Sequence, residues 1–131
     1  MEIDVRDYIG IPFAAHGRDR AGCDCWGLVR LIYAERLGVV LPSYAGDYAD
    51  PKEEAEIAVL IRGQLPAWRR VDFELPGDVA LLRIRKEPMH VGLVVRPRWM
   101  IHILNGIDAC LERYDAPVWR RRIVGFYRHG A

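Results

Sequence analysis

Three side chains have types and spacing that can carry covalent chemistry. The first is Cys25, in Asp24-Cys25-Trp26-Gly27-Leu28. Cys25, Leu28, Val29 and Ile32 fall at helical spacing and form an apolar stripe. Asp24 is a good N-cap and Gly38 a good stop, so the pattern predicts a helix over 25–37 with the thiol in its first turn. Unsatisfied backbone N–H groups and the positive end of the helix dipole favour a thiolate there. The competing reading is an inert thiol packed in a core helix. The other two are His90, within the apolar run from Met89 to Val95, and His102, within Met100 to Leu104. With Arg96-Pro97 in the connecting turn, pairing 90 with 102 puts both rings on one sheet face, with Cβ atoms roughly 4.5–5.5 Å apart. Gly92, on the same face as His90, leaves room for a helix end or a substrate. Cys25 would attack a carbonyl, His90 would take and return the proton, and His102 would orient His90. The rival is a pair of separately satisfied core histidines.

Other residues are weaker. Cys23 lies in the loop before the N-cap and reads as a packing or loop thiol. Cys23, Cys25, His90 and His102 do not make a convincing zinc set, because Cys-x-Cys is not the usual ligand spacing and no Cys-x-x-Cys or His-x-x-x-His accompanies it. No metal and no cofactor is therefore expected. His16, in the loop leading to the nucleophile, is a candidate to line the site, and Arg18, Asp19 and Arg20 are candidates for its charged rim, against the default of a solvated loop. Tyr44, Tyr48 and Trp68 are candidate cleft walls, with core packing favoured for Trp68. Arg120 to Arg122 read as an exposed strand edge, and His129 as a solvated tail residue.

The elements that must hold these groups fit one domain over residues 1–131. Nineteen basic against eighteen acidic residues give almost no net charge, which argues against bulk attraction to nucleic acid or to a membrane surface. No apolar run is long enough to span a bilayer, and Met1 to Asp7 does not read as a secretory signal. Three irregularly spaced cysteines suggest free thiols and synthesis in a reducing compartment such as the cytoplasm. Residues 2–9 suggest a short helix, and Asp50-Pro51 to Arg62-Gly63 a second full one. Strands follow at 79–82, 89–95, 99–104, 109–114 and 123–128, with Asn105-Gly106 as a hairpin signal. Helices followed by antiparallel strands make an α+β fold.

These motifs together resemble the NlpC group of papain-like cysteine peptidases over residues 8–128. The match runs from Gly10-Ile11-Pro12-Phe13 through Gly22-Cys23-Asp24-Cys25-Trp26-Gly27-Leu28-Val29, the family's Asp-Cys-x-Gly-Leu nucleophile block. Pro76-Gly77-Asp78-Val79 resembles its turn into the first central strand, and His90-Val91-Gly92-Leu93 its His-Val-Gly-Ile strand. Ile101-His102 resembles the next strand, and the twelve-residue step between the histidines also fits. The resemblance implies a papain-like fold, N-terminal helices on a central antiparallel sheet of about five or six strands. It implies Cys25 as nucleophile, His90 as general base and His102 as the orienting residue. The implied substrate is a peptidoglycan stem peptide, often cut between D-glutamate and a diamino acid, with the Cys25 backbone N–H holding the oxyanion. Phe13 stands where many members have tyrosine, Trp26 replaces the usual serine and His16 a glycine. Phe13, His16, Arg18, Asp24, Trp26 and Gly92 are thus the expected substrate-side residues. This version of the block looks like the branch found in phage tail-assembly proteins and prophages, with tail proteins as further partners and a virion as carrier. Two other readings remain open: a catalytically silent structural module of a phage tail, and an amidase or acyltransferase using the same triad.

Overall fold

A computed structural model describes residues 2–43, 67–84 and 87–130. The expected second helix and Tyr44 and Tyr48 lie outside the described residues. Near the N-terminus only Arg6–Tyr8 coil, as one 3-10 turn, which is shorter than the helix expected over 2–9. Two short strands follow, β1 (Arg18–Asp19) and β2 (Gly22–Cys23), paired antiparallel. Helix α1 (Cys25–Ile32) begins as expected, with Asp24 as its N-cap. It continues as a wider π turn over Tyr33–Leu37 and stops at Gly38, whose φ of 69° favours a residue without Cβ.

Most of the other described residues form one six-stranded sheet built from β3 (Trp68–Val71), β4 (Val79–Ile84), β5 (Glu87–Arg96), β6 (Trp99–Leu104), β7 (Ile107–Arg113) and β8 (Ile123–His129). Its order is β3-β8-β4-β5-β6-β7, every neighbouring pair antiparallel. The α+β class and the strand count are as expected. β3 was not foreseen, because the Trp68-Arg69-Arg70-Val71 run is short and its two arginines hide the alternation. Helix α2 (Pro117–Arg120) carries Arg120, and Arg121 and Arg122 lie in the turn after it, so these arginines are not a strand edge. The proline at the start of α2 is compatible with a first helical turn but not with a sheet ladder.

The sheet's alternation sorts its rows onto two faces. Val79, Leu81, Val91, Leu93, Val95, Ile101 and Ile103 pack in one core with Cys25, Trp26, Leu28, Val29 and Ile32 of α1. Ala80, Leu82, Val94 and Met100 pack in a second core with Tyr114 and Trp119. The first core anchors α1, and Trp119 of the second packs against both His90 and His102.

Candidate functional site

The start of α1 is held by a buried carboxylate that is bonded through both oxygens. Asp24 Oδ1 accepts from the Gly27 N–H at 2.8 Å and from Arg18 Nη1 at 2.8 Å, and Oδ2 accepts from the His16 N–H at 3.2 Å. Arg18 also donates to the carbonyls of Gly17 and Ser43. Asp24 is fully buried, so this pairing offsets a desolvation that would otherwise be prohibitive. Gly27 permits the loop to lie on the helix, since a Cβ there would stand 1.9 Å from the Gly17 carbonyl oxygen. His16, at the bend of that loop, takes a left-handed φ of 60°. By position, the N–H groups of Cys25 and Trp26 precede the first rung of the helix, which joins Leu28 N–H to the Asp24 carbonyl.

The residues expected to touch substrate therefore divide. Asp24 and Arg18 hold the loop to the helix. Trp26 is fully buried, donating from Nε1 to the Pro42 carbonyl at 2.9 Å and standing edge-on to Trp68. Asp24 and Trp26 have no surface with which to line a cleft, so they support the site from beneath. Phe13 is half-buried against the first core and bridges to Cys23, and His16 is half-exposed. Trp68 is in the core as expected, and His129 packs against it rather than being solvated. Cys23 is buried with its thiol on the Asp19 carbonyl, and burial pushes it up to about 11, which makes it a poor nucleophile.

The histidines meet, in a different register from the one expected. The β5–β6 ladder pairs Leu93 with Ile101 and Val94 with Met100, so the position facing His102 is Gly92, and His90 is its diagonal neighbour. Gly92 makes room for β6, not for a substrate: a Cβ there would lie 2.8 Å from Met100 Sδ and 3.5 Å from the His102 Cβ. His90 Nε2 and His102 Nδ1 are 2.9 Å apart. The helix stripe that carries Cys25 was expected to face His90; it does not. His90 stands opposite Leu82 and against Trp119, both of the second core, so the two rings lie on the face away from the α1 stripe. The β5–β6 rung nearest His90 in the register is Leu93–Ile101.

A fourth residue, which the sequence reading missed, completes the cluster. His102 Nε2 is 3.0 Å from Glu112 Oε2, and Trp119 Nε1–H donates to the same oxygen. The carboxylate can only accept, which fixes the proton order along the chain. His102 carries hydrogen on Nε2 and a lone pair on Nδ1. His90 donates from Nε2 to that lone pair and keeps its own lone pair on Nδ1. Nδ1 of His90 is buried and, among the described residues, has no hydrogen-bond partner. Burial, with repulsion from His102, pushes His90 down to about 3, so the ring is neutral at ordinary pH. Burial also lowers His102, against the opposing pull of Glu112. The arrangement is a neutral imidazole with an unspent, buried basic nitrogen, held in one tautomer by a histidine and a carboxylate. Such a nitrogen accepts a hydrogen bond from a donor brought to it, and burial makes it a weak base until a nearby anion stabilises the protonated ring.

Comparison with known proteins places the chain in a family and matches its fold. Residues 10–128 match the NlpC/P60 family. The murein DD-endopeptidase/LD-carboxypeptidase MepS of Escherichia coli (strain K12) is 23% identical over 117 residues, 88% of this chain. The chain spans 54% of that relative's length. Among solved structures, an NlpC/P60 family protein from Bacillus cereus ATCC 10987 superposes with a TM-score of 0.68 at 16% identity, covering 95% of this chain and 37% of that one. The NlpC/p60 domain of the peptidoglycan hydrolase SagA gives 0.61 at 20% identity, covering 93% of this chain and 90% of that one.

Proposed function

The chain belongs to the NlpC/P60 family, and from that premise we propose that it is a cysteine hydrolase that cuts an amide bond in a peptidoglycan stem peptide. The observation that carries the reading is the unpartnered Nδ1 of His90, at the end of a relay whose proton order leaves it a free acceptor. Cys25 is the nucleophile. His90 removes the thiol proton through Nδ1 and returns it to the leaving amine. His102 orients His90, and Glu112 is a positioning residue that fixes the tautomer of both rings. The backbone N–H of Cys25, at the helix start, is the oxyanion donor.

The bond is the one between D-glutamate and a diamino acid, and the chain is of phage-tail or prophage origin, with tail proteins as partners. The Gly22-Cys23-Asp24-Cys25-Trp26-Gly27-Leu28 block supports that origin. Phe13 and His16, on the loop before the nucleophile and not fully buried, are the substrate-side contacts. A second reading, a silent structural module, is favoured by the near-complete burial of Cys25 and His90, at 3% and 1% exposure.

Purified peptidoglycan incubated with wild type and with Cys25→Ala separates the two. The enzyme reading expects wild type to release fragments carrying new N-terminal diamino acids, with no release by the variant. Identical mass spectra from both would overturn it and favour the silent module.

A further inference from the structure

We propose that His102, Cys110 and Glu112 form a zinc site whose occupation switches off the relay described above; the site stands on geometry alone, and the switching rests on that functional reading. The Cys110 thiol, a His102 ring nitrogen and a Glu112 oxygen lie within 4.8 Å of one another. Two strands present them on one face. His102 in β6 stands opposite Cys110 in β7, and Glu112 follows two residues later along β7. His102 is buried, whereas Cys110 and Glu112 are part-exposed, so an ion can enter from the β7 side without opening the core. One imidazole, one thiolate and one carboxylate make a borderline-soft set that suits Zn²⁺ with water in the fourth position, and does not suit magnesium or calcium.

Coordination has a consequence one residue away. The metal takes the Nε2 lone pair of His102, so that ring must carry its hydrogen on Nδ1. Nδ1–H then donates to His90 Nε2, which becomes the acceptor, and the His90 hydrogen moves to Nδ1. The nitrogen that serves as the base is thereby capped. One proton, from the Cys110 thiol, leaves to solvent. Each ring keeps one hydrogen and changes only its place.

Cobalt(II) is the probe for the site, because a cobalt–thiolate bond gives a near-ultraviolet charge-transfer band. The full chain carrying Cys25→Ala removes the rival pair of Cys25 and His90 as ligands. We expect the band to saturate at one equivalent of cobalt, to be displaced by zinc, and to vanish when Cys110→Ser is added. No band in the Cys25→Ala protein, or an unchanged band in the double variant, overturns the site. For the switch, zinc should stop peptidoglycan release by the wild type and a chelator should restore it. Cys110→Ser, which leaves the relay intact, should keep its metal-free rate and need at least tenfold more zinc for half inhibition. Equal zinc sensitivity of wild type and Cys110→Ser overturns the switch. Failure of the wild type to cut without zinc instead refutes the proposed function, and the cobalt band still decides the site.

Discussion

Two buried polar clusters flank the proposed reaction centre, and they treat hydrogen-bonding capacity differently. Around Asp24, both carboxylate oxygens are engaged, by two backbone N–H groups and by Arg18. Around His90, a chain of polar atoms runs inward from Glu112 and ends on a nitrogen with no partner among the described residues. Buried polar groups are normally satisfied, and an exception needs a reason. The first cluster is a brace: its bonds fix where the helix starts and hence where the thiol sits. On the proposed reading the second moves a proton, and its unspent atom is where the work is done. Comparable burial and similar residue types therefore serve opposite purposes, and the satisfaction of the last atom separates them.

The comparison can be broken by substitution. The largest effect is expected at the ends of the reaction path. Cys25→Ala and His90→Gln should each lower peptidoglycan turnover by about a thousandfold or more, while circular dichroism and melting remain near wild type. Asp24→Ala should do the reverse in kind. It leaves the part-buried Arg18 with fewer partners and unties the helix start, costing about 3–5 kcal/mol in denaturant unfolding. Activity lost without stability would contradict the role of a brace. Glu112→Gln should lower kcat by about tenfold or more with KM little changed, because a side-chain amide can either donate to or accept from His102 and so no longer fixes the tautomer. Glu112→Asp should recover part of the loss.

Acid gives a smaller, graded effect. The His90 pKa is depressed in the folded protein, so between about 3 and the ordinary histidine value of 6.5 the unfolded chain binds more protons. Stability should rise with pH through that window, by at most about 1.4 kcal/mol per unit, and level off above it. His90→Gln should flatten that slope. The smallest effect is expected at Arg20 and Glu35, an exposed pair 2.7 Å apart, where Arg20→Ala should change stability by about 0–1 kcal/mol.

Much of this was legible in the residues. The cap, stripe and stop of α1 sit where the pattern put them, because Asp24, the apolar spacing and Gly38 all favour the same helix. The five expected strands are present, and so is the turn at Asn105-Gly106. Register was not legible. A slip of one residue moves every side chain to the other face, and a bulge can impose it without a mark in the sequence. In the β6–β7 hairpin, Leu104 pairs with Ile107, and an unbroken ladder would set His102 opposite Ala109. The bulge sets it opposite Cys110 instead. Cys110 and Glu112 thereby join the face of His102, which is why Glu112 went unseen. For the same reason, the two histidines could be placed on a common face, but not on the correct side of the sheet relative to α1.

The central claim is that Cys25 reacts through the basic nitrogen of His90. The most direct test is the rate at which iodoacetamide alkylates Cys25 near neutral pH, followed by peptide mass spectrometry in wild type and His90→Gln, with Cys110 of the same molecule as an internal reference. The account predicts that Cys25 outpaces Cys110 in the wild type and slows by about tenfold or more when His90 is replaced. A Cys25 that reacts no faster than Cys110, at a rate unchanged by His90→Gln, would contradict it.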